Sequence, residues 1–194
     1  MMEEFVFRTV VLVPIILICV SIHEYAHAKV ADMLGDPTPR QAGRLTLNPI
    51  SHIDPIGLIM LIIARIGWAR PVPVNPYNFK NPEWGMTMVG LAGPVSNFFF
   101  AWVLAVIFRF LPGYSSMAHY VIYQAIFINL ALMVFNLLPI PPLDGSRIYT
   151  QYLPSEWQFF LERYGFIILV AFIILPPTQM LLFTVIQFFL NLLL

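Results

Sequence analysis

Ser21-Ile22-His23-Glu24-Tyr25-Ala26-His27-Ala28 closes an almost uninterrupted apolar run that begins at Phe5. In a helix His23 and His27 stand one turn apart on one face, so two imidazole nitrogens can occupy neighbouring corners of a zinc tetrahedron. Glu24 lies beside them, placed to take a proton from a metal-bound water rather than to bind the metal. The same five residues occur by chance in polar helices. Here they lie inside a membrane span, where an ionisable group costs about 2.5–3.5 kcal/mol and is rarely present without a function. A bound dication would compensate all three groups at once.

The composition agrees with a membrane setting. Of 194 residues, 59% are hydrophobic and only 10% charged, with a mean hydropathy of +0.80; a soluble domain carries about 25% charged residues. Ten basic residues balance ten acidic ones, so charge gives no indication of a nucleic-acid partner. The single cysteine, Cys19, excludes an internal disulfide framework. It lies one turn before His23 and could face the metal, though plain helix packing is the simpler reading. The N-terminus, Met1-Met2-Glu3-Glu4, is acidic where a signal peptide is basic, and no small-x-small cleavage site follows the apolar core. The first segment is therefore expected to stay on the chain.

Five transmembrane helices are expected, at about residues 5–31, 85–110, 118–138, 157–175 and 179–194. The last two form a C-terminal hairpin around Pro176-Pro177 with no candidate chemistry. Lys29, Arg40 and Arg44 follow the first span, against Glu3 and Glu4 before it. The positive-inside rule then places the N-terminus outside and the histidines towards the cytoplasm. Residues 32–54 are polar and turn-rich, with Arg44-Leu45-Thr46-Leu47 alternating like a short strand. His52 and Asp54 could add ligands, or could simply cap their own loop. The 111–117 turn has no basic residue, as expected of an outside loop.

Two histidines leave a catalytic zinc one protein ligand short, with a further position kept open for water. Asp144, just beyond Pro139-Ile140-Pro141-Pro142, is the best remaining donor, although alone it reads as the N-cap of a helix over 145–152. To meet His23 and His27 it must lie on their side of the bilayer, which demands an even number of crossings between them. Residues 85–110 and 118–138 supply two. The apolar run from Pro55 to Gly67 must then enter and leave by one side, making 55–84 a re-entrant loop. Within it Arg70-Pro71-Val72-Pro73-Val74-Asn75-Pro76 reads as a membrane-associated edge strand, or as a rigid polyproline-like connector. Asn97 shares a face with Gly93 and should point into the protein, by itself a structural hydrogen bond between helices.

His23-Glu24-x-x-His27, Gly93-Pro94-x-x-Asn97 and Asn136-x-x-Pro139-x-Pro141-Pro142-Leu143-Asp144-Gly145 together resemble the site-2 protease family of intramembrane zinc metalloproteases, over about residues 5–150. The resemblance implies an all-α polytopic protein of the cell membrane, a single domain over 1–194. It implies one zinc held by His23, His27 and Asp144, with Glu24 as general base and Asn97 holding substrate or oxyanion. Its substrates would be transmembrane proteins or peptides, paired as an extended strand with the 70–76 element. With no PDZ or CBS domain, the chain looks like a minimal prokaryotic member. Two other readings stand beside this one: a pseudoprotease acting as membrane chaperone or sequestering partner, and a metal transporter. The transporter would want ionisable residues strung across the bilayer, and here they cluster towards one face.

Overall fold

In a computed structural model, residues 2–64, 67–111 and 117–194 are described; Arg65 and the core of the expected outside turn, 112–116, lie outside them. Among the described residues eight α-helices form: α1 (Met2–Met33), α2 (Thr38–Gln41), α3 (Pro55–Ala64), α4 (Pro82–Phe110), α5 (Met117–Asn136), α6 (Ser146–Tyr149), α7 (Ser155–Ile174) and α8 (Pro176–Leu193). Five of them, α1, α4, α5, α7 and α8, are long and apolar enough to cross a membrane. The chain is a multi-pass membrane protein.

Local chemistry sets the helix ends. Asn81 caps α4 by accepting from the backbone N–H of Trp84, with Pro82 in the first turn, where its missing N–H costs nothing. α5 ends at Asn136, and the proline-rich stretch that follows cannot continue it. Around the core, α4 packs on both α1 and α5, and α8 packs on α5. Ala101 and Ala105 of α4 let its backbone approach α5, where Ile126, Leu130 and Met133 fill the contact, closed by Leu190 and Leu193 of α8. α7 lies outermost, against α8.

The excursion between α1 and α4 returns to where it starts. α3 has 10 residues, about 15 Å of helix and roughly half the hydrocarbon thickness. Its two flanks meet: Ile53 and Ala69 form an isolated antiparallel bridge, and the Arg70 N–H donates to the His52 carbonyl at 2.9 Å. Gly57 makes this return possible, because any Cβ there would collide with the backbone of Trp68.

The expected strands do not form. Among the described residues that bridge is the only β pairing; residues 45 and 46 are bends, and 44, 47 and 70–75 are irregular. Side chains have taken the groups a sheet would use. Pro71 and Pro73 have no N–H to give, the Val72 N–H goes to Glu24, and the Asn75 N–H goes to Asp36. The carbonyls of Arg70 and Pro71 accept from Arg44.

Candidate metal centre

Each of the three prospective ligands arrives from a different local device. His23 and His27 rise from consecutive turns of α1, their rings edge to face with centroids 4.6 Å apart. Asp144 comes from a tight loop. The Gly145 N–H donates to the Asn136 carbonyl at 2.6 Å, and a Cβ at Gly145 would strike the carbonyls of Leu137 and Leu138. Only glycine lets the chain fold back so closely after α5. Asp144 does not cap α6, which begins after Gly145 with no side-chain cap. Its carboxylate turns to the histidines instead.

The three donor atoms form a compact triangle. His23 Nε2 and His27 Nε2 are 3.0 Å apart, and Asp144 Oδ2 stands 2.9 Å from the first and 3.0 Å from the second. The residues are buried, at 6%, 4% and 7% exposed respectively. Room for them comes from α4: a Cβ on Gly93 would fall 2.5 Å from His23 Cε1 and from His27 Nε2, and one on Gly90 would fall 3.0 Å from the Asp144 carbonyl oxygen.

The remaining ring nitrogens fix the tautomers. His23 Nδ1 lies 2.6 Å from Asn97 Oδ1 and His27 Nδ1 lies 2.6 Å from the Val89 carbonyl. Both partners are acceptors, so each Nδ1 carries the proton and each Nε2 offers a lone pair. Two imidazole lone pairs and a carboxylate oxygen therefore converge on one point. One extra proton could satisfy only part of that cluster. A dication fits it: ligand atoms bonded at about 2.0–2.1 Å in a tetrahedral zinc site stand about 3.3 Å apart, close to the spacings here.

Glu24 is half-buried on the same helix, and its Oε2 accepts from the backbone N–H of Val72 at 3.2 Å. Asn97 is fully buried, and both ends of its amide are engaged. Oδ1 receives His23, while Nδ2 donates to Asn129 Oδ1 at 2.7 Å and to the Cys19 carbonyl at 3.3 Å. The other candidates stay apart from the cluster. His52 Nε2 donates to the Thr46 carbonyl at 2.8 Å, and Asp54 accepts from the Gly57 N–H at 2.8 Å; both serve their own loop. Cys19 packs in the core with its Sγ 3.0 Å from Asn129 Nδ2. Among the described residues His23, His27 and Asp144 alone make a metal-binding group.

Two residues carry structural roles that the sequence did not assign to them. Asn129 is an amide in the middle of an apolar span, a signal of the same kind that singled out Asn97. Arg44 is 5% exposed and donates to the carbonyls of Ser51, Arg70 and Pro71. It fastens the polar loop after α1 to the segment lying on Glu24.

A multi-pass membrane protein with a buried His-His-Asp metal-binding group is thereby defined as a class. Residues 112–175 match the model of "Peptidase family M50". Over 190 residues the chain is 40% identical to "Putative zinc metalloprotease YwhC" of Bacillus subtilis, covering 90% of this chain and 87% of that protein. It is 32% identical over 187 residues to "Putative zinc metalloprotease Rip2" of Mycolicibacterium smegmatis, with 89% and 70% covered. An archaeal relative, "Putative zinc metalloprotease MJ0611" of Methanocaldococcus jannaschii, is 30% identical over 120 residues, with 60% and 61% covered. No solved structure matches the chain. The chain belongs to peptidase family M50, the site-2 protease family.

Proposed function

We propose that the protein is an intramembrane zinc metalloprotease that hydrolyses peptide bonds within or next to the transmembrane segments of membrane-protein substrates. One observation carries the reading: three buried acceptors, His23 Nε2, His27 Nε2 and Asp144 Oδ2, converge within 3.0 Å of one another with both histidine Nδ1 protons already committed elsewhere. These residues would hold one zinc per chain. When bound, zinc supplies a Lewis acid and brings the pKa of a water molecule to about 7.

The chain's own groups do the rest. Glu24 accepts the proton of the attacking water and returns a proton to the leaving amine. Its contact with Val72 orients the carboxylate while leaving its other oxygen available. The hydrogen bonds of Asn97 favour a role in holding the His23 ring over direct contact with substrate. Water reaches the site from the cytoplasmic side, where the positive-inside rule places the residue 32–54 loop, with the N-terminus outside.

Glu24→Gln tests the assignment, assayed on a membrane substrate produced in the same cells. It should keep zinc and lose cleavage. Unchanged processing would sink the enzyme and leave a non-catalytic membrane chaperone in its place. Zinc content of purified protein should be one per chain in the wild type and far lower in Asp144→Ala.

A further inference from the structure

A line of side-chain amides crosses the three central helices and ends on the metal centre. Asn129 Nδ2 donates to the Ala125 carbonyl at 2.8 Å within α5 and lies 3.0 Å from the Cys19 sulfur. Those two acceptors determine which way the amide faces: its Oδ1 must point at Asn97, where it accepts from Nδ2 at 2.7 Å. Asn97 is then orientated too, because its Nδ2 has Asn129 and the Cys19 carbonyl to serve. Its Oδ1 therefore faces His23 Nδ1 at 2.6 Å. An acceptor at that position forces the proton onto Nδ1 and leaves Nε2 bare.

We propose that Asn129 is a positioning residue that sets the tautomer of His23 through Asn97. The polarity of the line starts at backbone carbonyls that cannot reverse, those of Ala125 and Cys19, and runs outward to the ligand. Both asparagines are fully buried, so no water competes to reorient them. Without Asn129, only the longer contact with the Cys19 carbonyl, at 3.3 Å, holds the Asn97 amide, which can then turn its N–H2 towards His23. That would place the ring proton on Nε2, where it opposes metal binding. His27 needs no such line, because its Nδ1 meets the Val89 carbonyl directly. The inference rests on the proposed reading of His23 as a zinc ligand.

The experiment measures zinc affinity of the full chain in detergent by competition with a chelator, together with the absorption spectrum of the cobalt-substituted protein. Asn129→Leu keeps the volume and removes the amide; it should weaken zinc binding about 10–100-fold and alter the cobalt spectrum. Asn129→Asp, neutral in this setting, retains an acceptor for Asn97 and a donor for Ala125. It should bind within a few-fold of the wild type, with an unaltered spectrum. Wild-type affinity in Asn129→Leu would overturn the proposal. So would equal weakening in both variants, which would mark Asn129 as packing only. A wild type that binds no zinc would remove the ligand reading and this inference together. Tight wild-type binding that is indifferent to Asn129 removes only the inference.

Discussion

The backbone N–H of Val72 donates to Glu24 Oε2 at 3.2 Å, joining the proline-rich segment before α4 to the residue that neighbours His23 in α1. Flanked by Pro71 and Pro73, Val72 offers an isolated donor to the carboxylate. Val72→Pro deletes that N–H and leaves the His-His-Asp triangle alone. Hydrogen bonds to charged groups are worth about 1.5–3 kcal/mol, so turnover should fall by about 10-fold or more while zinc content stays at the wild-type level. Equal turnover, or loss of metal, would show that the contact does not orient Glu24.

Gly93 is the close-approach point of α4 on the two histidine rings. In Gly93→Ala the new methyl would sit 2.5 Å from atoms of both rings, and overpacking of this kind costs about 1–3 kcal/mol. The rings must separate, so zinc affinity should drop about 10-fold or more. Chelator competition measures it, and affinity equal to wild type would show that α4 yields without cost.

Asp36 gives the fold an acid limit. Burial pushes its carboxyl up, but hydrogen bonds from the Thr38 hydroxyl, the Asn75 and Thr38 N–H groups and the Asn78 amide more than reverse this and hold it below the usual carboxylate range. A depressed value means that the ionised group stabilises the fold. The contribution is complete above an unfolded-state pKa of about 3.9 and is lost as pH falls from there through the folded value. Asp36→Asn should lower thermal stability at pH 7, and the gap to wild type should narrow as pH falls below about 4. A gap that stays constant with pH would refute the charge argument.

The parity of crossings can be read chemically. Cys19 is buried, so single cysteines introduced elsewhere report with little background. Gln41→Cys, Tyr77→Cys and Glu156→Cys should react with an impermeant thiol reagent from one face of the membrane, and Met117→Cys from the other. Labelling of positions 41 and 77 from opposite faces would mean that α3, which lies between them, crosses.

The spans were legible because each is an apolar run of sufficient length; α4, expected over 85–110, extends only to Pro82, where its Asn81 cap lies. The histidine pair was legible through its one-turn spacing, and Asp144 through the demand for a third donor on the same side. The strands were misread because alternating residues and alternating prolines describe an edge strand and an irregular connector equally well. Partners distant in sequence decided the matter, with Glu24, Asp36 and Arg44 claiming the backbone groups of 70–75. Asn129 escaped notice for a similar reason. Its contact with Asn97 joins two helices 32 positions apart, a relation that no spacing motif encodes.

His27 and Asp144 stand 117 positions apart in the chain. During synthesis the ribosome must deliver three membrane crossings and the proline-rich bend before the carboxylate can meet the imidazoles. A half-made chain consequently holds two of the three donors and lacks the carboxylate. The metal-binding group is thus completed late in biogenesis.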